Sequence, residues 1–241
     1  MCYHYTLVNT EKELIEHYDL GNISVGWEPI YHINAFSFPK LPVVLDSKPK
    51  ELSLLNWGLI PFWVKDMETA KKLRINTLNA RIETAFEKPS FRDAIKRRRC
   101  LVPASGFFEW REFNKKKYPY FISLKQAPIF SFAGIHDSWV DKSTGEIVNT
   151  FSICTTEANP LMAKIHNSKL RMPVILHREL EKTWLDASIS KEDILKFSDP
   201  FAEEQMKAHT ISKLITSRDQ NSNIPEIMDE VQFPELNINP N

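Results

Sequence analysis

The order of apolar and polar residues predicts a chain built mainly from short β-strands. Residues 1–9 alternate with the period of two that is typical of a strand with one buried face, so Cys2 and His4 are expected to share a face. Runs rich in β-branched and aromatic residues recur along the chain, and the last three long ones are predicted to be successive strands of one antiparallel sheet. The runs are residues 31–34, 42–45, 52–59, 100–103, 106–110, 118–124, 129–135, 147–155 and 174–176.

Two capping signatures predict helices in the first half of the chain. Thr10 with Glu13 forms a capping box that opens a short helix ending near Gly21. Ser90, with Asp93 three residues later, predicts a second short helix. The basic run that follows this signature, Lys96-Arg97-Arg98-Arg99, is interpreted first as a solvated last turn that complements the helix dipole and second as a phosphate contact.

Further helices are predicted in the second half. Asn159 followed by Pro160 is typical of a helix start, and this helix is expected to end at His166. Residues 179–185 and 190–197 have amphipathic spacing. Together the elements predict an α+β fold with a central, mainly antiparallel, barrel-like sheet surrounded by short helices.

Length and composition favour one domain over residues 1–241, with an acidic tail from about 224 to 241 on its periphery. The chain has 15 Pro and only 6 Gly, and no flexible linker or internal repeat divides it. Its formal net charge is zero, so any polyanion must bind to a local patch. No apolar run is long enough to span a membrane and the N-terminus lacks signal-peptide features, which predicts a cytoplasmic protein.

The cysteines do not predict a disulfide framework or a metal site. The chain has 3 Cys, at positions 2, 100 and 154, without CxxC spacing. Cys100 and Cys154 lie within predicted strands and are interpreted as packed, unreactive thiols. We therefore expect neither a metal nor another cofactor.

Cys2 has the most distinctive chemistry. A side chain this small permits removal of the initiator Met1, which leaves an α-amine with a reference pKa of about 7.7–8.0 next to a thiol with one of about 8.5. This amine can attack an aldehyde to form a Schiff base, and the thiol can then close a thiazolidine ring. The alternative, which spacing alone favours, is a second-position cysteine with no chemical role. The thiol is expected to lie at the surface.

Two other residues are candidates for proton transfer. Glu109 lies between Phe108 and Trp110, where desolvation would raise its pKa and suit it to general acid–base catalysis; the alternative is a strand-end carboxylate that faces water. His166 is either a proton donor or a satisfied core histidine, and a lone histidine is more often the latter.

An amide, a guanidinium and two aromatic rings are candidates for ligand binding. Asn79 and Arg81 are two residues apart, so in an extended segment both face one groove, where the arginine could hold a phosphate. Phe62 and Trp63 follow a proline and are interpreted equally as core residues or as an exposed stacking platform. Trp57 is assigned to the core.

These signals occur together in an order that resembles one family. The segments are Met1-Cys2, WGLIPFW, NARIETAFEKPSFRDAIKRRRCLVPASGFFEW, TTEANPLMAKIH and RMPVIL. Over residues 1 to about 217 the chain resembles the SRAP (SOS-response-associated peptidase) family of abasic-site-processing proteins. In that family the mature N-terminal cysteine forms a thiazolidine link to the ring-opened aldehyde of an abasic site in single-stranded DNA.

The resemblance implies roles for named residues. Cys2 would be the crosslinking nucleophile, Asn79 and Glu109 would assist the condensation, and His166 would promote sugar-ring opening and Schiff-base chemistry. His4 stands where the family usually has an arginine, so the phosphate contact of that arginine is expected to be weakened or to be replaced by His4. The residues expected to contact DNA are Arg81, Trp63, Phe62, Asn34, Arg171 and His4.

The sequence therefore predicts an enzyme that processes abasic sites in single-stranded DNA by a lyase-like, crosslinking reaction, after removal of Met1 by its own peptidase activity or by a host aminopeptidase. No obligate protein partner is expected. One rival is a cysteine peptidase that uses Cys2 and His166 on protein substrates. Another is a non-catalytic single-strand binder, for which Cys2→Ala would leave function intact.

Overall fold

Thirteen strands and six α-helices form over residues 2–21, 24–217 and 219–236, which a computed structural model of the chain describes. The strands are β1 (His4–Leu7), β2 (Ile30–Asn34), β3 (Lys40–Leu45), β4 (Lys48–Trp57), β5 (Asn79–Arg81), β6 (Arg99–Ala104), β7 (Gly106–Phe113), β8 (Lys116–Leu124), β9 (Phe130–Val140), β10 (Ile147–Glu157), β11 (Arg171–Pro173), β12 (Ile175–Leu176) and β13 (Met206–Thr210).

The helices are short and lie between these strands. The α-helices are α1 (Glu11–Tyr18), α2 (Met67–Arg74), α3 (Ala94–Arg97), α4 (Pro160–Ile165), α5 (Glu181–Leu185) and α6 (Lys191–Lys196). Single 3-10 turns cover Ala35–Ser37, Ile75–Thr77, Ile82–Thr84, Arg178–Leu180, Glu203–Gln205, Lys213–Thr216, Pro225–Met228 and Pro234–Leu236. No helix in the described ranges is long and apolar enough to cross a membrane.

Five strands close into a barrel, which confirms the predicted α+β fold with a central barrel-like sheet. Around the barrel, β4 pairs with β3, β3 with β6, β6 with β9, and β9 with β10, all antiparallel. A parallel pairing of β10 with β4 completes the circle. The short strand β5 also pairs parallel to β10 and places Asn79 beside Ile153.

A second sheet, in the order β13-β8-β7-β1-β2, packs beside the barrel. One of its faces contributes Tyr5, Phe107 and Ile122 to the main core. The other face carries Phe108, on which the C-terminal segment packs. The prediction that residues 118–124, 129–135 and 147–155 are neighbours in one sheet was wrong for the first of them, because β8 pairs with β7 and β13 instead of β9.

Local capping signals were confirmed at two helices and wrong at a third. Thr10 and Glu13 form the reciprocal capping box of α1, and the side chain of Asn159 accepts a hydrogen bond from the amide of Met162 at the start of α4. Helix α3 begins only at Ala94, and Asp93 has helical backbone angles without a side-chain cap. The preceding residues form turns instead of the expected first helical turn.

The basic run after α3 is not a uniformly solvated helix end. Arg99 is fully buried at the start of β6. Its guanidinium donates hydrogen bonds to the backbone oxygens of Trp184, Ile95 and Lys96 at 2.6, 2.8 and 2.9 Å, and also to that of Asp186. Because these carbonyls satisfy its donors, Arg99 joins α3 to the end of α5 as a structural residue.

The acidic C-terminal segment packs on the outer face of the second sheet. Ile227 is fully buried there, and the backbone oxygen of Met228 lies 2.7 Å from Nε2 of His209. Earlier in the segment, Asn223 accepts hydrogen bonds from the amides of Tyr31 and His32 on the edge strand β2, at 2.7 and 3.3 Å. Residues 237–241 of the predicted tail lie outside the described residues.

Candidate functional site

Cys2 lies two residues before the start of β1, where the second sheet meets the barrel. Its backbone oxygen accepts a hydrogen bond from Nδ2 of Asn79 at 2.9 Å, which joins β5 to the N-terminal segment. Its side chain is fully buried, so the expectation of a surface thiol was wrong. The thiol packs with the main core and lies 3.7 Å from the backbone oxygen of His4. Met1, which precedes it, lies outside the described residues.

The surroundings of Cys2 favour a neutral thiol. Burial raises the pKa of the Cys2 thiol above its ordinary value, and the nearby Glu109 carboxylate raises it further. Both effects penalise the thiolate, since one removes its hydration and the other adds a like charge. Cys100 and Cys154 are also fully buried with raised pKa values, which confirms them as packed thiols.

Glu109 and His166 come together from different parts of the chain. Glu109 is on β7 with 4% of its surface exposed, and His166, at the end of α4, is 6% exposed. Oε1 of the carboxylate lies 3.6 Å from Nδ1 of the imidazole. Burial raises the pKa of Glu109 to about 7, so at neutral pH this carboxyl group exchanges readily between its two protonation states.

His166 has the opposite protonation behaviour. Burial lowers its pKa to about 4, so the ring is neutral at pH 7. Nδ1 lies 2.8 Å from the backbone oxygen of Arg171, and a carbonyl oxygen can only accept a hydrogen bond. Nδ1 therefore carries the proton, and Nε2 of the neutral ring is a proton acceptor.

Asn79 has a buried acceptor atom without a hydrogen-bond donor among the described residues. The residue is 8% exposed, and its Nδ2 is already engaged by Cys2. Its Oδ1 is buried and accepts no hydrogen bond from the described residues. A buried acceptor without a donor is costly, so this oxygen favours a ligand that brings an N–H or O–H group.

Two aromatic segments expose rings to solvent. Phe62 and Trp63 are 55% and 43% exposed, whereas Trp57 of the same motif is fully buried, as predicted. Phe36 is 51% exposed and stands 4.9 Å from the ring of Tyr3, the residue after Cys2. The sequence analysis missed Phe36, whose exposed ring lies in a turn capped by Asn34.

The predicted DNA-binding arginines lie in different environments. Arg81 is exposed on β5, two residues after Asn79. Arg171 is 7% exposed, and its guanidinium donates two hydrogen bonds to the carboxylate of Glu83, at 2.6 and 2.9 Å, and one to the backbone oxygen of Thr155 at 2.7 Å. Sequence reasoning missed Glu83. A phosphate contact by Arg171 stays a prediction, and it would compete with this ion pair.

His4 and Asn34 each form hydrogen bonds with other residues of the protein. Nδ1 of His4 shares a 2.9 Å hydrogen bond with Nε2 of His32, whose Nδ1 lies 2.7 Å from the hydroxyl of Ser222. Burial, together with His32, lowers the pKa of His4 to about 3, so at neutral pH it brings no positive charge to a phosphate. Asn34 is exposed, and its Oδ1 accepts a hydrogen bond from the amide of Phe36 at 3.0 Å.

The site as a whole is suited to proton transfer around a nucleophile at position 2. It offers a titrating carboxyl group, a neutral imidazole and an amide oxygen, all largely buried. Within the described ranges, no group of three or more His, Cys, Asp or Glu residues could hold a metal ion.

Comparison with known proteins gives one consistent family. A family model for "SOS response associated peptidase (SRAP)" matches residues 1–218. The chain is 37% identical over 233 residues to the abasic site processing protein YoqW of Bacillus subtilis, covering 95% of this chain and 99% of that protein. It is also 30% identical over 203 residues to the abasic site processing protein HMCES of Xenopus tropicalis, covering 76% and 58% of the two chains.

Solved structures have the same fold. A crystal structure of a protein from Bacteroides thetaiotaomicron is 43% identical, with a TM-score of 0.91, and covers 96% of this chain and 100% of that one. A protein from Bordetella bronchiseptica, 22% identical, shares the fold with a TM-score of 0.75 and covers 88% of this chain and 100% of that one.

Proposed function

The chain belongs to the SOS response associated peptidase (SRAP) family, and we propose that it processes abasic sites by joining Cys2 covalently to them in single-stranded DNA. Relatives at 30–37% identity carry the name abasic site processing protein. The observation that carries the finer proposal is the juxtaposition, at the start of the chain, of Cys2 with the amide of Asn79 and a carboxyl group of pKa about 7 at Glu109.

The proposed reaction follows from the two nucleophiles of a terminal cysteine. After Met1 is removed, the α-amine of Cys2 adds to the aldehyde of the ring-opened sugar, and the resulting carbinolamine loses water to give an imine. The thiol then adds to the imine carbon and its proton passes to nitrogen, which closes the thiazolidine ring. One water is released, and no oxidant or cofactor is needed.

Glu109 and His166 would perform different proton transfers. With a pKa of about 7, Glu109 can take a proton from the α-ammonium group and return one when the carbinolamine loses water. The family resemblance suggests that His166 promotes opening of the closed sugar. Because the ring is neutral and its Nδ1 donates to Arg171, we assign it the acceptor role, through Nε2, toward the anomeric hydroxyl.

Single-stranded DNA would bind by backbone charge and base stacking. The exposed Arg81 follows Asn79 on the same strand, so it can hold a phosphate next to the abasic sugar. The exposed rings of Phe62 and Trp63 provide stacking surfaces that tolerate any base. A single strand suits this surface because its bases are already free of pairing.

The proposal extends to release of Met1, in which one water hydrolyses the peptide bond before Cys2 and the same site residues transfer the protons. This autopeptidase step would be the hydrolase activity of the proposed enzyme. A cysteine peptidase acting on other proteins is less well supported, because burial and Glu109 both raise the pKa of the Cys2 thiol and disfavour the thiolate that such enzymes require.

A denaturing gel tests the proposal against both rivals. Wild-type protein is mixed with single-stranded DNA that carries one abasic site, and separately with the same strand lacking the lesion. We expect a slowly migrating adduct only with the lesion, absent for Cys2→Ala. Cleavage of unrelated peptides without an adduct would favour the peptidase, and lesion binding that is equal for Cys2→Ala without an adduct would favour the non-catalytic binder.

A further inference from the structure

The aromatic loop is the segment between β4 and α2, residues 58–66, which carries the exposed rings of Phe62 and Trp63. Asp137 belongs to the barrel strand β9 and lies beneath this loop. The residue is 4% exposed. Its Oδ2 accepts a hydrogen bond from the amide of Phe62 at 3.1 Å and another from the guanidinium of Arg98 at 3.2 Å. Its Oδ1 accepts from the amide of Ser138 at 2.9 Å. Both carboxylate oxygens are therefore acceptors for groups that can only donate.

Arg98 contacts both Asp137 and the ring of Phe62. Its guanidinium carbon lies 5.7 Å from the centre of the Phe62 ring, within the range of a cation–π contact. The same guanidinium is ion-paired with Asp137. Phe62 is thus held at two points, at its amide by the carboxylate and at its ring by the arginine.

The rest of the loop is anchored in a similar way. The amide of Ile60 donates to Oγ1 of Thr150 at 2.8 Å, and Nε1 of Trp139 donates to the backbone oxygen of Val64 at 2.7 Å. Nε1 of Trp63 donates to the backbone oxygen of Pro89 at 3.3 Å. The Phe62 amide is thus a further point at which the loop is fixed at its exposed tip.

We propose that Asp137 is a positioning residue for DNA binding, which with Arg98 holds the rings of Phe62 and Trp63 in the orientation that stacks on bases. This inference rests on the proposed binding of single-stranded DNA. Preorganised rings lose less freedom on binding, so the loss of Asp137 weakens affinity without changing the chemistry at Cys2.

The positioning role and simple electrostatics predict opposite changes in DNA affinity for Asp137→Asn. Asp137→Asn removes a negative charge next to Arg98, and this alone strengthens binding to a polyanion. An asparagine has one acceptor oxygen and one NH₂ group, so it cannot accept from Ser138 on one side and from Phe62 and Arg98 on the other. Positioning therefore predicts weaker binding, in spite of the gain in positive charge.

Asp137→Asn is compared with wild type and with Asp141→Asn, a matched control. Asp141 is 6% exposed, lies at the end of the same β9–β10 hairpin, and accepts hydrogen bonds from the amide and hydroxyl of Ser143 at 2.9 and 2.7 Å. The charge change is the same, but among the described residues Asp141 has no hydrogen bond or ion pair with the aromatic loop. Thermal unfolding verifies that both variants are folded.

Two measurements are made on each protein. Amide hydrogen exchange reports directly how well the Phe62 N–H is protected. Affinity is measured by titration with an intact single-stranded oligonucleotide, using the quenching of Trp63 fluorescence. A Trp63→Phe variant serves as the blank for the other tryptophans. For Asp137→Asn we expect at least about tenfold faster exchange of the Phe62 amide. We also expect DNA binding to be weaker on the order of tenfold, because part of one stacking contact is lost. Asp141→Asn should match wild type or bind slightly more tightly.

The outcomes separate this inference from the proposed function. Unchanged exchange at Phe62, or binding by Asp137→Asn that is as tight as or tighter than that of Asp141→Asn, overturns the positioning role. The proposed crosslink is tested separately by the abasic-site adduct of wild type. With saturating abasic DNA, Asp137→Asn should reach the wild-type rate of adduct formation, and a slower rate at saturation would also contradict a role confined to binding.

Discussion

Nδ1 of His166 lies 3.6 Å from Oε1 of Glu109, and the usual order of their proton affinities is inverted. Burial raises the pKa of the carboxyl group to about 7 and lowers that of the imidazole to about 4. Near neutral pH the carboxyl group is therefore the one that titrates, while the imidazole stays neutral. The carboxyl group can then both accept and donate a proton, while the neutral imidazole acts as an acceptor.

Glu109→Gln should slow adduct formation on the order of 10²- to 10⁴-fold, the usual contribution of a positioned acid or base. Glutamine keeps the shape but cannot exchange a proton. In wild type, the rate at saturating DNA should show an inflection near pH 7 that reports this carboxyl group, and the variant should lack it. A variant with the same inflection would assign that pKa to another group. Glu112→Gln, on the same strand, serves as the control.

His166→Ala should act mainly on substrates whose sugar must open. An abasic site is mostly closed, so the loss of a proton acceptor at the anomeric hydroxyl should slow adduct formation. A simple open-chain aldehyde needs no such step and should react at nearly the wild-type rate. Rates for both substrates, measured by mass spectrometry, give the comparison. Equal impairment on both, or on neither, would remove His166 from ring opening.

Arg81→Ala should weaken binding to single-stranded DNA and reduce its salt dependence, since each phosphate contact contributes about 0.7 to the slope of log affinity against log salt. Arg97→Ala, which removes an exposed arginine on α3, is the matched control and should change the slope less. Fluorescence anisotropy at several salt concentrations measures both slopes. A larger effect from Arg97 than from Arg81 would place the strand on a different face.

The stacked pair His4 and His32 should make the fold sensitive to acid. Burial lowers their pKa values to about 3 and about 4, below the value of about 6.5 expected in an unfolded chain. The unfolded state then binds more protons, so their contribution to stability is complete above pH 6.5 and is lost as pH falls toward 4.

Urea unfolding at pH 7.5 and 5 measures this loss. Each histidine should cost about 2 kcal/mol at pH 5, and the pair about 4 kcal/mol, because both rings are protonated in the unfolded chain and neutral in the folded one. His17 and His166 also have lowered pKa values, whereas the raised pKa of Glu109 opposes them. Wild type is therefore compared with the double variant His4→Asn/His32→Asn, whose free energy of unfolding should depend less on pH. An equal dependence in both proteins would assign the effect to the other groups.

Local signals in the sequence predicted local structure well. The capping box of Thr10, the Asn159-Pro160 helix start and the burial of Trp57 depend on a few neighbouring residues and were confirmed. The family resemblance then named the family correctly. The barrel was predicted only in outline, because its closure depends on the parallel pairing of β10 with β4, two strands far apart in sequence.

Side-chain environments set by distant segments were not predictable in this way. Arg99 looked like one of four solvated cations, but the carbonyl groups that bury it come partly from α5. The partner of Arg171, Glu83, lies 88 positions away. The burial of Cys2 likewise arises from its packing between the second sheet and β5, which no nearby residue indicates.

Intact mass analysis before and after exposure to single-stranded DNA with one abasic site tests the central claim most directly. The proposal predicts a protein that lacks Met1 and an adduct equal to the sum of that protein and the DNA minus one water. Peptide mapping should place the link on Cys2, with neither its amine nor its thiol free. An unmodified mass for wild type, or a denaturation-stable adduct of Cys2→Ala equal to the variant plus the DNA minus one water, would contradict the proposed crosslink.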